Sequence, residues 1–222
     1  IGLNGGIFII NGQTGAILSS LPSNVEASAI IPPTIVNLDN SGGPEIALVG
    51  TCTVQDVEGH LQQRTCSFGF AGDPATPEIR TLWREVSDNV TSSGGVAGFD
   101  FEGDGWYELV QCDASELAAF AGLERQRLFS APRASTSAFS APVIADTDSD
   151  GRAEIVLAQD GGVIPVNQGL LVFGETWAGA RRIWNQFDYH ITNVRENGVI
   201  PRFERPHWLE LNATRTTPPQ CR

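Results

Sequence analysis

Oxygen-bearing side chains recur at one fixed spacing in three places along the chain. The first set is Asn37, Asp39, Ser41 and Glu45, with Gly42 sixth and Gly43 seventh. The second is Asp100, Glu102, Asp104 and Glu108, with Gly105 and Trp106 in those places. The third is Asp146, Asp148, Asp150 and Glu154, with Gly151 and Arg152. Side-chain oxygens at positions 1, 3, 5 and 9, with a glycine that permits a sharp turn at position 6, match the first half of a helix-flanked calcium loop. A hard cation takes about six to eight oxygens, and four side chains, the position-7 carbonyl of Gly43, Trp106 or Arg152, and a water would supply them. Calcium suits such a set better than magnesium because the ligands are numerous and mostly protein-derived. These residues are therefore the predicted ligands of up to three Ca2+ ions. The competing account is a solvated, Asx-rich hairpin without metal. Three copies in register favour the metal.

Charge points the same way. The loops hold ten of the chain's 26 acidic residues, and the formal net charge is −12. Carboxylates crowded within a few ångströms repel by several kcal/mol even at an effective dielectric of about 20, unless a cation intervenes. Three divalent ions would bring the charge to −6. All 14 basic side chains are arginine, so a surface built for nucleic acid is not expected. No run of about eighteen apolar residues exists to insert in a membrane. The chain opens at Ile1 without a methionine or basic leader, which reads as a mature or excised piece.

Apolar strands must hold these loops, because each loop is preceded and followed by a short apolar run rather than a helix-period pattern. The loops begin at residues 37, 100 and 146, and the intervals are long enough for a four-stranded sheet with turns. Strand pairs are predicted at 61–70 and 79–86, at 117–122 and 125–130, and at 169–173 and 180–184. Residues 6–18 read as a hairpin turned by Asn, Gly and Thr, and 116–120 as an alternative helical turn. The fold class is all-β: a β-propeller of four-stranded antiparallel blades, about three and a half in this chain, spanning residues 1–185. Residues 186–222 form a C-terminal closing segment packed on it.

The four cysteines include no CxxC pair, so a structural zinc site has little support. Cys52 and Cys66 lie symmetrically about Gly59, and a hairpin turning near Glu58-Gly59 would place them opposite each other and bridge them. Cys112 and Cys221 are left as a second pair by elimination, with connectivity open. A disulfide places the chain in an oxidising, extracytoplasmic compartment.

The loops and flanking strands resemble the FG-GAP and VCBS repeats of integrin-α-type β-propellers, most closely at Asp146 to Glu154 with the preceding 141–145. Residues 181–194, 198–201 and 206–208 are similar to the segment that closes the propeller in large bacterial secreted proteins of this kind. The resemblance implies a calcium-stabilised, extracellular or cell-surface module, non-catalytic, with an adhesive role toward a surface protein or glycan. Whole propellers of the family have about seven blades, within the range of the architecture, which implies a larger chain or assembly. Asn37 and Ser41 depart from the pattern by weakening the first loop, and Glu102 lengthens one ligand of the second. The alternative function is a carbohydrate-active propeller, a lectin or a polysaccharide lyase. A lyase needs a base, and without lysine it would have to be arginine, histidine or tyrosine. His60, His190 and His207 lack a GxSxG partner, so no catalytic residue is assigned. Trp177, Trp184, Tyr189 and Trp208 with Arg181, Arg182, Arg202 and Arg205 are expected to plug the end of the fold.

Overall fold

The structure is a computed structural model that describes residues 8–20, 32–41, 43–73, 76–87, 94–137, 139–161, 169–209 and 211–220. Among these the chain is all-β, with one 3-10 turn at His207–Leu209 and no α-helix. The first hairpin pairs β1 (Phe8–Ile10) with β2 (Ile17–Ser20). Asn11 turns it, its side chain accepting from the N–H groups of Gln13 and Thr14. The first full sheet runs β3 (Thr34–Val36), β4 (Glu45–Gln55), β5 (Leu61–Asp73) and β6 (Thr76–Val86), each antiparallel to the last. The second repeats this plan with β7 (Val96–Phe99), β8 (Glu108–Cys112), β9 (Glu116–Ala121) and β10 (Gln126–Pro132). The third has β11 (Val143–Ala145), β12 (Glu154–Gln159) and β13 (Gly169–Gly174). Finally β14 (Thr216–Thr217) joins the second sheet parallel to β7. Among the described residues no sheet closes into a barrel.

The strand expected at 117–122 is present as β9, and its helical alternative falls; one expected strand does not form. Residues 116–120 are strand rather than helical turn, because β8 and β10 take up their backbone groups on both sides. Residues 180–184 do not form a fourth strand of the third sheet, which has three strands among the described residues. The backbone here bonds elsewhere: Ala178 donates to the Phe101 carbonyl and accepts from Ala153 N–H, and the Arg181 carbonyl accepts from Asp146 N–H. The segment thus ties the second acidic loop to the third.

Apolar faces stack the sheets in sequence order. Val36, Leu38, Ala47, Val49 and Trp83 of the first sheet pack with Val96 and Leu109 of the second. Phe99, Val110 and Leu117 of the second pack with Ile144, Ile155 and Leu157 of the third. The leading strand β7 lies beside both β3 and β11. The C-terminal segment enters between two of them. Ile35 and Thr214 exchange backbone hydrogen bonds on one side, and Gly98 N–H donates to the Arg215 carbonyl on the other. Trp177 packs on Phe101 and Phe129, and Trp184 stacks on Tyr189 at 4.6 Å, so these aromatics line the interior. Trp208 is exposed.

The Cys52–Cys66 disulfide is present, with Cα atoms 5.8 Å apart, but its register differs from the expected one. Gln55 pairs with Leu61, so the hairpin centres on residue 58, where Asp56 accepts from the N–H groups of Glu58 and His60. Cys52 therefore faces Arg64, and Cys66 faces Gly50. An offset of two residues keeps both sulfurs on one face of the sheet, and the bridge runs diagonally. They belong to a cluster with Leu48, Phe68 and Phe70. Peptide mapping of the non-reduced protein should recover these cysteines linked. Reduction should cost at most about 3 kcal/mol, because the closed loop is short. Free thiols at both positions would contradict the structure. Cys112 is a buried thiol with no bridge among the described residues, and Cys221 lies outside them.

Candidate metal loops

Each acidic loop is the turn between the first two strands of its sheet: β3 to β4, β7 to β8, and β11 to β12. The strands make the ends of the loop apolar and buried, so position 9, the first residue of the second strand, is drawn into the interior. Glu45, Glu108 and Glu154 are all buried, and so are Asp100 and Asp146 at position 1.

The same internal hydrogen bonds recur. The position-9 carboxylate accepts from the N–H at position 2: Leu38 to Glu45 at 2.7 Å, Phe101 to Glu108 at 2.9 Å, and Thr147 to Glu154 at 2.6 Å. Asp100 accepts from Gly103, Asp104 and Gly105, and Asp146 from Ser149 and Gly151. Position 5 takes the N–H of position 7, in Asp104 with Trp106 and Asp150 with Arg152. Position 3 takes that of position 5, in Asp39 with Ser41 and Asp148 with Asp150.

The backbone curls to allow this. Position 4 has a positive φ in every loop, at Asn40, Gly103 and Ser149, and Gly105 and Gly151 at position 6 do too. A left-handed Ser149 costs of order 1 kcal/mol that its loop must recover. The left-handed position 4 has a local signal at Asn40 and Gly103 but none at Ser149.

The structure brings together part of each predicted ligand set. Asp100, Glu102 and Glu108 converge with carboxylate oxygens all within 4.8 Å of one another, and so do Asp146, Asp148 and Glu154. Asp104 and Asp150 stand outside these groups, and Asp150 also pairs with the Arg152 guanidinium at 3.9 Å. The first loop has only Asp39 and Glu45 as carboxylates. Its Asn37 Oδ1 is buried without a hydrogen-bond partner, while the Asn37 amide donates to the Ser41 carbonyl. Gly43 is half-buried, and Gly42 lies outside the described residues.

Clustered hard oxygen donors, two of each converging three buried, together with the orphaned Asn37 acceptor of the first loop, fit a hard cation. The charge balance agrees. Burial pushes the Glu108 carboxyl up to about 8, against its hydrogen bond from Phe101, and Glu102, Asp100 and Asp104 add repulsion in the same direction. Burial likewise raises Glu45.

The sign of the resulting pH dependence is fixed. Glu108 has a folded pKa above its ordinary value of 4.5, so the native state holds a proton that the unfolded state releases. Its contribution to stability falls as pH rises from about 4.5 to about 8. Metal-free protein should therefore melt higher near pH 5.5 than near pH 8, Glu108→Gln should flatten this slope, and calcium should offset it by displacing the proton. A metal-free melting temperature that climbs across this window, unaffected by Glu108→Gln, would contradict the assignment.

No family model matches the chain, and no curated protein sequence matches it. Among solved structures it is similar in fold to the biofilm matrix protein Bap1 of V. cholerae, with a TM-score of 0.54 and 17% identity. The match covers 93% of this chain and 44% of that one, so the chain spans less than half the length of the matched structure.

Proposed function

We propose that this chain is part of a calcium-stabilised β-propeller of the FG-GAP and VCBS kind, extracellular or at the cell surface, with a non-catalytic structural or adhesive role. The observation that carries the reading is the repeated loop, with its shared hydrogen-bond pattern and converging carboxylates at Asp100, Glu102 and Glu108 and at Asp146, Asp148 and Glu154. Face-to-face sheets with their leading strands together support blades around a common axis. Fold similarity to a biofilm matrix protein supports a matrix or surface role, with a surface protein or glycan as partner.

Calcium would supply positive charge among carboxylates that otherwise repel. Asp100, Glu102 and Glu108 would hold one ion, Asp146, Asp148 and Glu154 a second, and Asn37, Asp39 and Glu45 a weaker third. The protein's part is to fix the oxygens. Position-2 N–H groups orient the position-9 carboxylates, and the flanking strands hold both ends. With most of the coordination given to protein oxygens, little remains for a substrate.

Affinity follows ligand charge, so the sites should differ. Calorimetric titration of chelator-treated protein should resolve a weak class at the first loop and tighter binding at the other two, and Asp146→Ala should remove one tight site. Three equal sites, or no calcium heat, would defeat the reading. Cleavage of an acidic polysaccharide by the purified chain would instead favour the lyase alternative.

A further inference from the structure

The chain has 3 histidines, and His190 and His207 meet beside Glu204 in the C-terminal segment. We propose that these three residues form a site for a transition-metal ion of the zinc type, chemically distinct from the acidic loops. The ligand atoms of His190, Glu204 and His207 all lie within 4.8 Å of one another. Around a tetrahedral zinc with bonds of about 2 Å, donors stand about 3.3 Å apart, so small side-chain rotations close the set. Two imidazoles and one carboxylate are a zinc, copper or nickel donor set rather than a calcium one.

A second observation comes from what surrounds the donors. His190 Nδ1 lies 3.2 Å from the Asp188 carbonyl, and its Nε2 is in hydrogen-bond contact with Glu204 Oε1. Both ring nitrogens thus face acceptors. A neutral imidazole carries one proton, so if Nδ1–H serves Asp188, a lone pair on Nε2 points at a carboxylate. In that tautomer Nε2 offers a lone pair to a metal beside the Glu204 oxygen. The His207 ring sits 4.3 Å from that of His190 and adds a second nitrogen donor. The outer contacts are those of a metal-bound histidine and carboxylate: the Asp188 carbonyl sets the His190 tautomer, and Thr192 Oγ1 donates to Glu204 Oε1 at 2.7 Å.

The site joins residues 188–192 to 204–207, a stretch with little regular structure of its own. It would act as a clip on the segment that runs to β14. Three protein ligands leave a coordination position open to solvent. The His190 side chain is 17% exposed and that of Glu204 39%, so water or a donor from a partner can reach the ion.

The test uses untagged full chain in excess calcium, so that the acidic loops are occupied. Zinc titrated by calorimetry should bind at one ion per chain. His190→Ala, His207→Ala and Glu204→Gln should each weaken binding about 100-fold or more, Thr192→Val about tenfold, and His60→Ala and Asp146→Ala not at all. Cobalt bound to the unaltered protein should give the visible absorption of a four- or five-coordinate nitrogen and oxygen site, a readout independent of whether the variants fold. Near-UV circular dichroism checks the variants. Absence of zinc heat and of a cobalt spectrum, or zinc affinity unchanged in folded His190→Ala and His207→Ala, would overturn the proposal and leave a proton between His190 and Glu204. Because Asp146→Ala removes a calcium loop only, failure of the calcium reading and failure of this one are separable.

Discussion

Chelation of calcium should lower the melting temperature by about 10–20 °C. Each occupied site contributes about 2.7 kcal/mol when free calcium exceeds its dissociation constant a hundredfold, and the loops at Asp100 and Asp146 are the strong ones. Together they contribute about 5 kcal/mol. For a chain of this size each kcal/mol moves the melting temperature by about 2–4 °C. The cause is specific: buried Glu108 and Glu154 each sit within 4.8 Å of two other carboxylates, a repulsion that the ion removes. Thermal scans in calcium and in chelator, with a magnesium control, measure the effect. An unchanged melting temperature would sink the structural role of the loops, and calcium-dependent polysaccharide cleavage in the same samples would promote the enzymatic alternative.

Replacing Arg215 by alanine should cost about 4 kcal/mol. Its side chain is among the most deeply buried in the molecule. Nε donates to the Val96 carbonyl at 3.0 Å, Nη1 donates to the Phe187 carbonyl at 2.6 Å, and the guanidinium lies 4.5 Å from the Phe187 ring. Truncation removes the donor from the Phe187 carbonyl and leaves the Val96 carbonyl with Thr34 Oγ1 alone, at about 1–3 kcal/mol in all, and opens a void that packing does not refill. Arg215→Lys keeps the charge but not the fork that spans both carbonyls, and should recover less than half of the loss. Urea unfolding measures both. A change below about 1 kcal/mol for Arg215→Ala would mean that residues 213–217 are not the wedge between β3 and β7 that the hydrogen bonds describe.

On the proposed reading, the pH dependence and the calcium dependence should have one origin. A carboxylate such as Glu108, buried among its own kind, is relieved either by a proton or by a cation. The two compete for the same oxygens, so calcium binding should release protons where Glu108 would otherwise hold one.

The acidic loops were legible in the amino-acid sequence because everything that shapes them is local. The N–H of position 2 and the carboxylate of position 9 are seven residues apart, and the flanking apolar runs specify strands by composition alone. The pairing of β4 with β5 was legible for the same reason, yet its register was misplaced. Composition gives a turn's neighbourhood, whereas the Asp56 side chain, by capturing Glu58 and His60, decides its centre. Beyond that range tertiary structure decided. Residues 180–184 look like a strand, but the carbonyl of Arg181 and the backbone of Ala178 are committed to loops brought beside them by sheet stacking. Thr216 and Thr217 carry almost no strand signal, and become β14 because β7 leaves an edge to which residues over a hundred positions away can bond. Asp104 and Asp150 repeat at the right spacing but turn to their own backbones. His190, Glu204 and His207 converge only through a fold in an irregular segment. Short-range hydrogen bonds are encoded in adjacent residues. Long-range ones exist only once burial has chosen which faces meet, and no window of sequence holds both partners.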